Sequence, residues 1–438
     1  MKTAREVFVD NFAVDKLKAV FEERLAHGST VGKDGIHPLA FQKNLDQEIG
    51  LIRKNTFAGV YKFTTFKQRL ISKGADVKPR EISIAGVRDR LTLRALNNTL
   101  LQIFPEAKQP LPHHFIREIK AFIAPLDDAY SFLQLDVKEF YPTLVHGELL
   151  KRLRSRTRHK PLLALVASAI RTPTGSKKLN ERGVPQGLSI SNVLSSIYMM
   201  KIDDVASSEF QYCRYVDDIL IICRTENAKR NHEEMEKRLA KVGLTVHPLQ
   251  PGSKTKINLL SEGVDYLGYN ITPSMIAVRR SSYRRMMENI MGVMTSAKYK
   301  PSTKKIMLRL NLKVTGCIMN GKRYGWMFFF SMTEDTKQLR RLDRFVSRLW
   351  RRYDMEKYGK PKTFVKTYHE IKFNSAATKY IPKYDDFTIK QKMQLIADLE
   401  GLDLEDVKNW TEEKINKTFR RLVKREISEL EKDITPVS

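Results

Sequence analysis

Cysteine is scarce. Cys213, Cys223 and Cys317 are the three present in 438 residues, and their spacing matches no zinc site. A disulfide framework is therefore not expected, which fits a reducing, cytoplasmic setting. No run of about 18 apolar residues offers a membrane-spanning segment. The opening MKTAREVFVD leads into no signal-like hydrophobic core, so no secretory leader is expected either. Internal repeats and long low-complexity linkers are also missing. Acidic residues are outnumbered: 50 Asp and Glu face 78 Lys and Arg, a formal charge of +28. That excess calls for a polyanionic partner, although charge alone does not choose nucleic acid over an anionic membrane. With 42% hydrophobic residues the chain can bury a substantial core, and at this length it divides into about two or three parts.

Gln211–Thr225, QYCRYVDDILIICRT, sets two aspartates side by side. Tyr212, Cys213 and Tyr215 precede Asp217 and Asp218, and Ile219, Leu220, Ile221 and Ile222 follow them. The pattern predicts two short strands joined at the aspartates. Adjacent carboxylates make a poor core, because each must be solvated, paired or metal-bound. They hold a hard divalent cation well, since magnesium takes oxygen ligands and keeps waters that give way to phosphates. An ordinary acidic turn is the competing reading, and the rest of the chain decides between them.

Ser131–Leu144, SFLQLDVKEFYPTL, predicts a strand whose apolar run of Phe132, Leu133 and Leu135 stops at Asp136. An aspartate at a strand end can face the Asp217–Asp218 turn from an adjacent strand. Such a set could hold two cations about 4 Å apart, the separation used in two-metal phosphoryl transfer. Phe140 and Tyr141 read first as core packing. Upstream, Tyr61–Leu70 and Glu81–Ile84 predict strands, with a helix beginning at Asp89. Most cations of that region belong to a solvated face, but Lys73, Lys78 and Arg80 occupy a loop and a strand start, where side chains can converge on a triphosphate.

His146–Ile170 predicts a helix. In Glu181–Asp204, Gly183 and Gly187 bracket Pro185-Gln186 and permit close backbone approach. Such a loop can bring Gln186 against a template base and an incoming nucleotide, with Ser189 or Ser191 capping the helix that follows. Residues 230–243 predict a charged helix, after which Lys254 or Lys256 can approach the same phosphates, Lys254 being the preferred one. Val264–Ile271, VDYLGYNI, alternates like a strand around a Gly268 hinge. Beyond residue 280 the chain turns basic: Lys337–Tyr353 predicts an amphipathic helix buried through Leu339, Leu342, Phe345, Val346, Leu349 and Trp350, its arginines suited to a duplex backbone. A second helix is expected over Leu404–Leu430. Trp350 and Trp410 read as packing residues.

Taken in order, KPREISI, LDVKEFYPTL, GVPQGLSIS, YCRYVDDIL, SKTKI and VDYLGY resemble the motifs of a reverse transcriptase over roughly residues 30–275. The likeness lies on the group II intron and retron side of that family. The resemblance implies an α+β right-hand polymerase of fingers, palm and thumb, with an antiparallel palm sheet backed by helices and a largely helical C-terminal region. Its expected divisions are 1–125 (N-terminal extension and fingers), 126–275 (palm with interleaved fingers), 276–365 (thumb-like) and 366–438 (helical extension). It implies RNA-directed DNA synthesis, with Asp136, Asp217 and Asp218 as catalytic carboxylates. These would bind two Mg2+, replaceable by Mn2+, together with the Val137 carbonyl. Lys73 or Lys78, Arg80 and Lys254 would meet the triphosphate. Tyr141 would lie under the sugar and reject a 2′-hydroxyl, Gln186 would border the nucleotide and template, and Tyr266, Leu267 and Gly268 would grip the primer.

Deoxynucleoside triphosphates, an RNA template and a DNA product are the implied partners, with no membrane. Gly316–Val346 resembles standalone bacterial reverse transcriptases associated with antiviral defence, a setting that admits a noncoding RNA, an accessory defence protein and a homo-oligomer. No retron-specific NAXXH segment precedes Asp136, and no HNH nuclease array or zinc-binding tail is evident. Priming from RNA, DNA or a protein Tyr or Ser stays open. Two other functions compete: an RNA-templated RNA polymerase, against which Tyr141 argues, and a noncatalytic RNA-binding or assembly protein, against which the full carboxylate set argues.

Overall fold

The computed structural model describes residues 2–26, 28, 30–72, 79–175, 178–296 and 302–434. The architecture is mixed α+β with a largely helical C-terminal region, in two compact units. The first comprises Met1–Leu111 and Asp128–Leu259, the second Pro112–Asp127 and Leu260–Ser438. Among the described residues no helix is long and apolar enough to cross a membrane.

The first unit contains a hairpin of β1 (Lys67–Ile71) and β2 (Arg80–Ile84), then β3 (Tyr130–Asp136), β4 (Gln211–Tyr215), β5 (Asp218–Arg224) and β6 (Lys256–Leu259). The last four form one antiparallel sheet in the order β4-β5-β3-β6. β5 buries Ile219, Leu220, Ile221, Ile222 and Cys223 without alternation, and β3 buries Ser131, Phe132, Leu133 and Leu135. Runs of this kind belong to strands covered on both faces. Their apolar length sets where the strands can end, and both end in carboxylate. The first half of the helix Ser191–Glu209 is buried almost all round through Val193, Leu194, Ile197, Tyr198 and Met199, whereas Lys201, Asp204, Val205, Ser207, Ser208 and Glu209 are exposed, so the helix enters the core of this unit at one end.

Several expected elements are shorter or broken. Only Lys67 onward joins a ladder; the segment before it is held by Asp89, which accepts from the Tyr61 hydroxyl Oη at 2.8 Å and from the backbone Thr64 N at 2.9 Å. The helix then begins at Val87, ahead of Asp89. The predicted helix His146–Ile170 is two, His146–Arg154 and Lys160–Arg171. Pro161 lies in the first turn of the second, where its missing N–H costs no helical bond. Neither Ser189 nor Ser191 caps the next helix: Ile190 holds the cap position, and Ser191 Oγ donates to Pro185 O at 2.6 Å.

In the second unit, β7 (Val264–Tyr266), β8 (Tyr269–Ile271) and β9 (Ile276–Val278) form an antiparallel sheet, and β10 (Cys317–Met319) pairs with β11 (Lys322–Tyr324). The helix Thr336–Arg352 buries Leu339, Leu342, Val346, Leu349 and Trp350 and leaves its arginines outward. Trp350 Nε1 donates to Gly359 O at 2.8 Å, a packing role. The expected Leu404–Leu430 helix divides into Leu404–Lys408 and Glu412–Lys432. Thr411 Oγ accepts from Lys414 N and starts the second piece afresh, leaving Trp410 at the break.

Candidate active site

β4 and β5 are joined by Val216 and Asp217 alone, and the register sets Asp218 opposite both Tyr215 and Asp136. Directly opposed residues of an antiparallel pair share a face. Asp136 and Asp218 therefore meet at the end of the two central strands, with Asp217 on the turn beside them. Val216 holds φ at 58°. A two-residue hairpin loop demands a positive φ at this position and is usually filled by Gly or Asn. A β-branched residue there costs on the order of 1–3 kcal/mol, strain of the kind that collects at functional turns.

Asp136 is fastened from several sides. Its backbone O accepts from His247 N at 2.9 Å, and its N donates to Thr255 Oγ1 at 3.4 Å. Lys254 Nζ and His247 Nε2 each lie 3.2 Å from its Oδ2. Burial, reinforced by the neighbouring Asp136 charge, raises the Asp217 carboxyl above the ordinary range, while Arg80 and Lys254 pull the other way. Charge is thus concentrated where a cation would relieve it. Among the described residues, however, no three His, Cys, Asp or Glu side chains are gathered tightly enough to hold a metal as they stand. Val137, whose carbonyl was a candidate ligand, is buried and bridged to Val246.

Tyr141 lies within electrostatic reach of Asp217, Arg80 and Arg214. Its Oη donates to Asn192 Oδ1 at 2.6 Å, and burial, with a smaller contribution from Asp217, pushes its pKa up to about 12. The ring stays phenolic at physiological pH. The Gln186 loop is seated by its backbone: Ser83 N of β2 donates to Gln186 O at 2.7 Å, and Val184 N donates to Tyr141 O at 2.9 Å. Gly187 has φ 96°, and a Cβ there would meet Ile82 Cγ2 at 2.7 Å and Ser83 O at 3.0 Å. Both glycines flanking Pro185-Gln186 are therefore sites of close approach.

Asp136, Asp217, Asp218, Arg80, Tyr141, Lys254 and the Gln186 loop all belong to the first unit. Tyr266, Leu267 and Gly268 belong to the second, where Leu267 (φ 49°) and Gly268 (φ 85°) turn β7 into β8. Lys73 and Lys78 lie outside the described residues. Two residues beside the aspartates, His247 and Arg214, are given no role by the sequence motifs. His247 could have been suspected because buried Leu244 and Val246 alternate like a strand and place it on the other face. Arg214 sits among the strand residues Cys213 and Tyr215, where a charge demands a partner; that partner is Asp203, whose carboxylate accepts from its Nε at 2.7 Å and its Nη2 at 2.5 Å, and nothing in the local sequence names it.

Residues 71–271 match the family described as reverse transcriptase (RNA-dependent DNA polymerase). That interval takes in all three aspartates and the turn at Gly268. The chain carries a reverse-transcriptase-like domain. Protein YkfC of Escherichia coli is 23% identical over 305 residues, which is 59% of this chain and 78% of that protein. An uncharacterized 91 kDa protein in the cob intron of Schizosaccharomyces pombe is 23% identical over 164 residues, 35% of this chain and 20% of its own length. Among solved structures, telomerase from Candida albicans in complex with a TWJ fragment of telomeric RNA aligns over 90% of this chain and 68% of its own, with TM-score 0.43 and 13% identity. Apo telomerase from Candida tropicalis, truncated from its C-terminal domain, aligns over 50% and 56%, with TM-score 0.34 and 14% identity.

Proposed function

We propose that the chain is an RNA-directed DNA polymerase that transfers deoxynucleotides from their triphosphates to a primer hydroxyl. The observation that carries this reading is the pairing of Asp136 with Asp218 at adjacent strand ends, with Asp217 on the turn beside them, inside the reverse-transcriptase-like interval. Asp136, Asp217 and Asp218, with the Val137 carbonyl, would hold two Mg2+, or Mn2+ in their place. An all-oxygen donor set suits hard cations, and the raised Asp217 carboxyl fits a site whose charge is completed by one. When bound, such ions activate the primer hydroxyl and stabilise charge on the transferring phosphate.

The protein's own groups do the rest. Arg80, with Lys73 or Lys78, neutralises the incoming triphosphate, and Lys254 beside Asp136 serves the same end. Tyr141, its hydroxyl tied to Asn192, presents a fixed ring to the sugar. Gln186 borders the nucleotide and template, and Tyr266, Leu267 and Gly268 support the primer. In the right-hand arrangement proposed here, 1–125 supplies the N-terminal extension and fingers, 126–275 the palm, 276–365 the thumb and 366–438 a helical extension. The basic helix Thr336–Arg352 suits a sequence-independent grip on a duplex. The likeness of Gly316–Val346 supports a cytoplasmic bacterial defence role, with a noncoding RNA, an accessory protein or self-association as added partners.

Sequencing the nucleic acid that copurifies, before and after incubation with magnesium and all four deoxynucleotides, tests the reading. A defined RNA extended into DNA by the intact chain, and not by Asp217→Ala/Asp218→Ala, is the expected result. Bound RNA with no synthesis, even on a supplied RNA template and DNA primer, would favour the noncatalytic RNA-binding or assembly reading; ribonucleotide products would favour an RNA polymerase. Tyr141→Ala is expected to make ribonucleotides compete better by roughly tenfold or more. Unchanged discrimination in single-nucleotide competition would place the sugar gate elsewhere.

A further inference from the structure

The turn that carries Asp217 is tied down by a side chain to which the polymerase reading gives no task. Arg214, in β4, has a side chain only 6% exposed. Its Nε and Nη2 donate to the two carboxylate oxygens of Asp203 at 2.7 and 2.5 Å, and its Nη1 donates to Val216 O at 2.8 Å. Tyr212 Oη donates to Asp203 Oδ1 at 2.8 Å and steadies the acceptor. Asp203 belongs to the helix Ser191–Glu209, whose first residue donates to Pro185 O in the Gln186 loop. A continuous path of hydrogen bonds and helix therefore runs from that loop to the aspartate turn.

Burying an arginine against a half-buried carboxylate is a poor way to stabilise a sheet, since apolar residues of like volume commonly serve as well or better. What the guanidinium offers is direction. Its planar fork grips a carboxylate along one edge and keeps another N–H aimed at a fixed point. That point is the carbonyl of Val216, the residue held at φ 58°. The Val216 carbonyl lies in the same rigid peptide plane as the Asp217 nitrogen, so fixing one orients the other. We infer that Arg214 is a positioning residue, clamping the strained Val216–Asp217 peptide, and with it the Asp217 carboxylate, to the helix that also seats the Gln186 loop. Its kinetic consequence rests on the polymerase reading; its structural consequence does not.

Arg214→Lys tests this, because lysine keeps the charge facing Asp203 but has no fork with which to reach Val216 as well. Hydrogen exchange over residues 211–224 is expected to quicken at the turn amides while the centre of β5 stays protected. Turnover at saturating nucleotide is expected to fall about ten- to a hundredfold, with nucleotide KM held within about twofold. In Arg214→Lys/Val216→Gly, glycine takes the positive φ without strain, and turnover is expected to recover by about threefold or more relative to Arg214→Lys, so that the two changes couple rather than add.

A lower melting temperature with turn exchange and turnover both unchanged would make the pair a core ion pair only and overturn the inference. So would strict additivity of the two substitutions. If Arg214→Lys does not fold, Asp203→Asn, which frees the fork from its anchor, must give the same exchange and turnover signature or the inference falls. A wild-type chain that incorporates no nucleotide would sink the polymerase reading instead, and the exchange measurement would still judge the clamp.

Discussion

Asp217→Asn is expected to abolish nucleotide incorporation, by about a thousandfold or more, while leaving the fold as stable as before or more so. On the proposed polymerase reading, the loss follows from removing one of the three carboxylates that would hold the metal ions beside the ends of β3 and β5. The stability follows from the same crowding. Asp217 titrates above its ordinary value because it is buried and beside Asp136. As pH rises, the unfolded carboxyl ionises first. This site's contribution to folding is therefore most favourable below the unfolded pKa and declines as pH climbs through the raised folded one. Asparagine cannot ionise and removes that decline. At neutral pH without divalent cations, the variant should melt at or above the wild-type temperature. Magnesium should then raise the melting point of the wild type more than that of the variant, because a ligand stabilises the state that binds it. Thermal melts with and without magnesium, run beside single-nucleotide extension, check both halves. An inactive variant that is also strongly destabilised would mark Asp217 as a structural residue of an ordinary acidic turn.

The parts of this arrangement that were legible in the sequence are those written in local chemistry. Phe132-Leu133 and Ile219-Leu220-Ile221-Ile222 are too continuously apolar to be anything but covered strands or buried helix, and the charges that end them mark the rim. The register was not legible. Nothing in Ser131–Leu144 says that Asp136 pairs with Asp218 rather than with its neighbour, since that depends on a ladder between residues about 80 apart along the chain. Helix breaks were missed for a related reason: Pro161 and Thr411 can start a helix or sit harmlessly inside a predicted one, and tertiary packing decides. Buried polar contacts were the least visible. Asp89 looked like a helix start, yet it fixes Tyr61 and Thr64 from the far side of a hairpin. Arg214 is one of 78 Lys and Arg, and nothing in the local sequence sets it apart. Its meaning comes from Asp203, which only the fold brings to it.

Gly183→Ala carries the largest expected structural cost near the site. Gly183 has φ 86°, and an added Cβ would lie 2.7 Å from Pro142 O and 2.9 Å from Pro142 Cα. These are backbone atoms, so no side chain can swing aside to make room. The backbone strain and the overpacking each cost on the order of 1–3 kcal/mol, so a loss of about 3 kcal/mol or more is expected. At about 2–4 °C per kcal/mol for a unit of this size, the melting point should drop by roughly 6–12 °C. The direction of the push matters more than its size. Pro142 follows Tyr141, and the Gly183 segment is stitched to that stretch by Gly183 N to Leu144 O at 2.8 Å and Val184 N to Tyr141 O at 2.9 Å. His146 Nε2, 2.7 Å from Gly183 O, braces the same strap. An alanine must therefore move the loop away from Tyr141 or move Tyr141 itself. Either shift separates the Tyr141 ring from the Gln186 loop, the two groups that the proposed reading assigns to the nucleotide. The chain that still folds should show a raised nucleotide KM and weaker rejection of ribonucleotides, a pairing that Tyr141→Ala shares and Asp217→Asn does not. Gly183→Ala with normal KM and normal sugar discrimination would mean that the loop and the ring do not act on the same nucleotide.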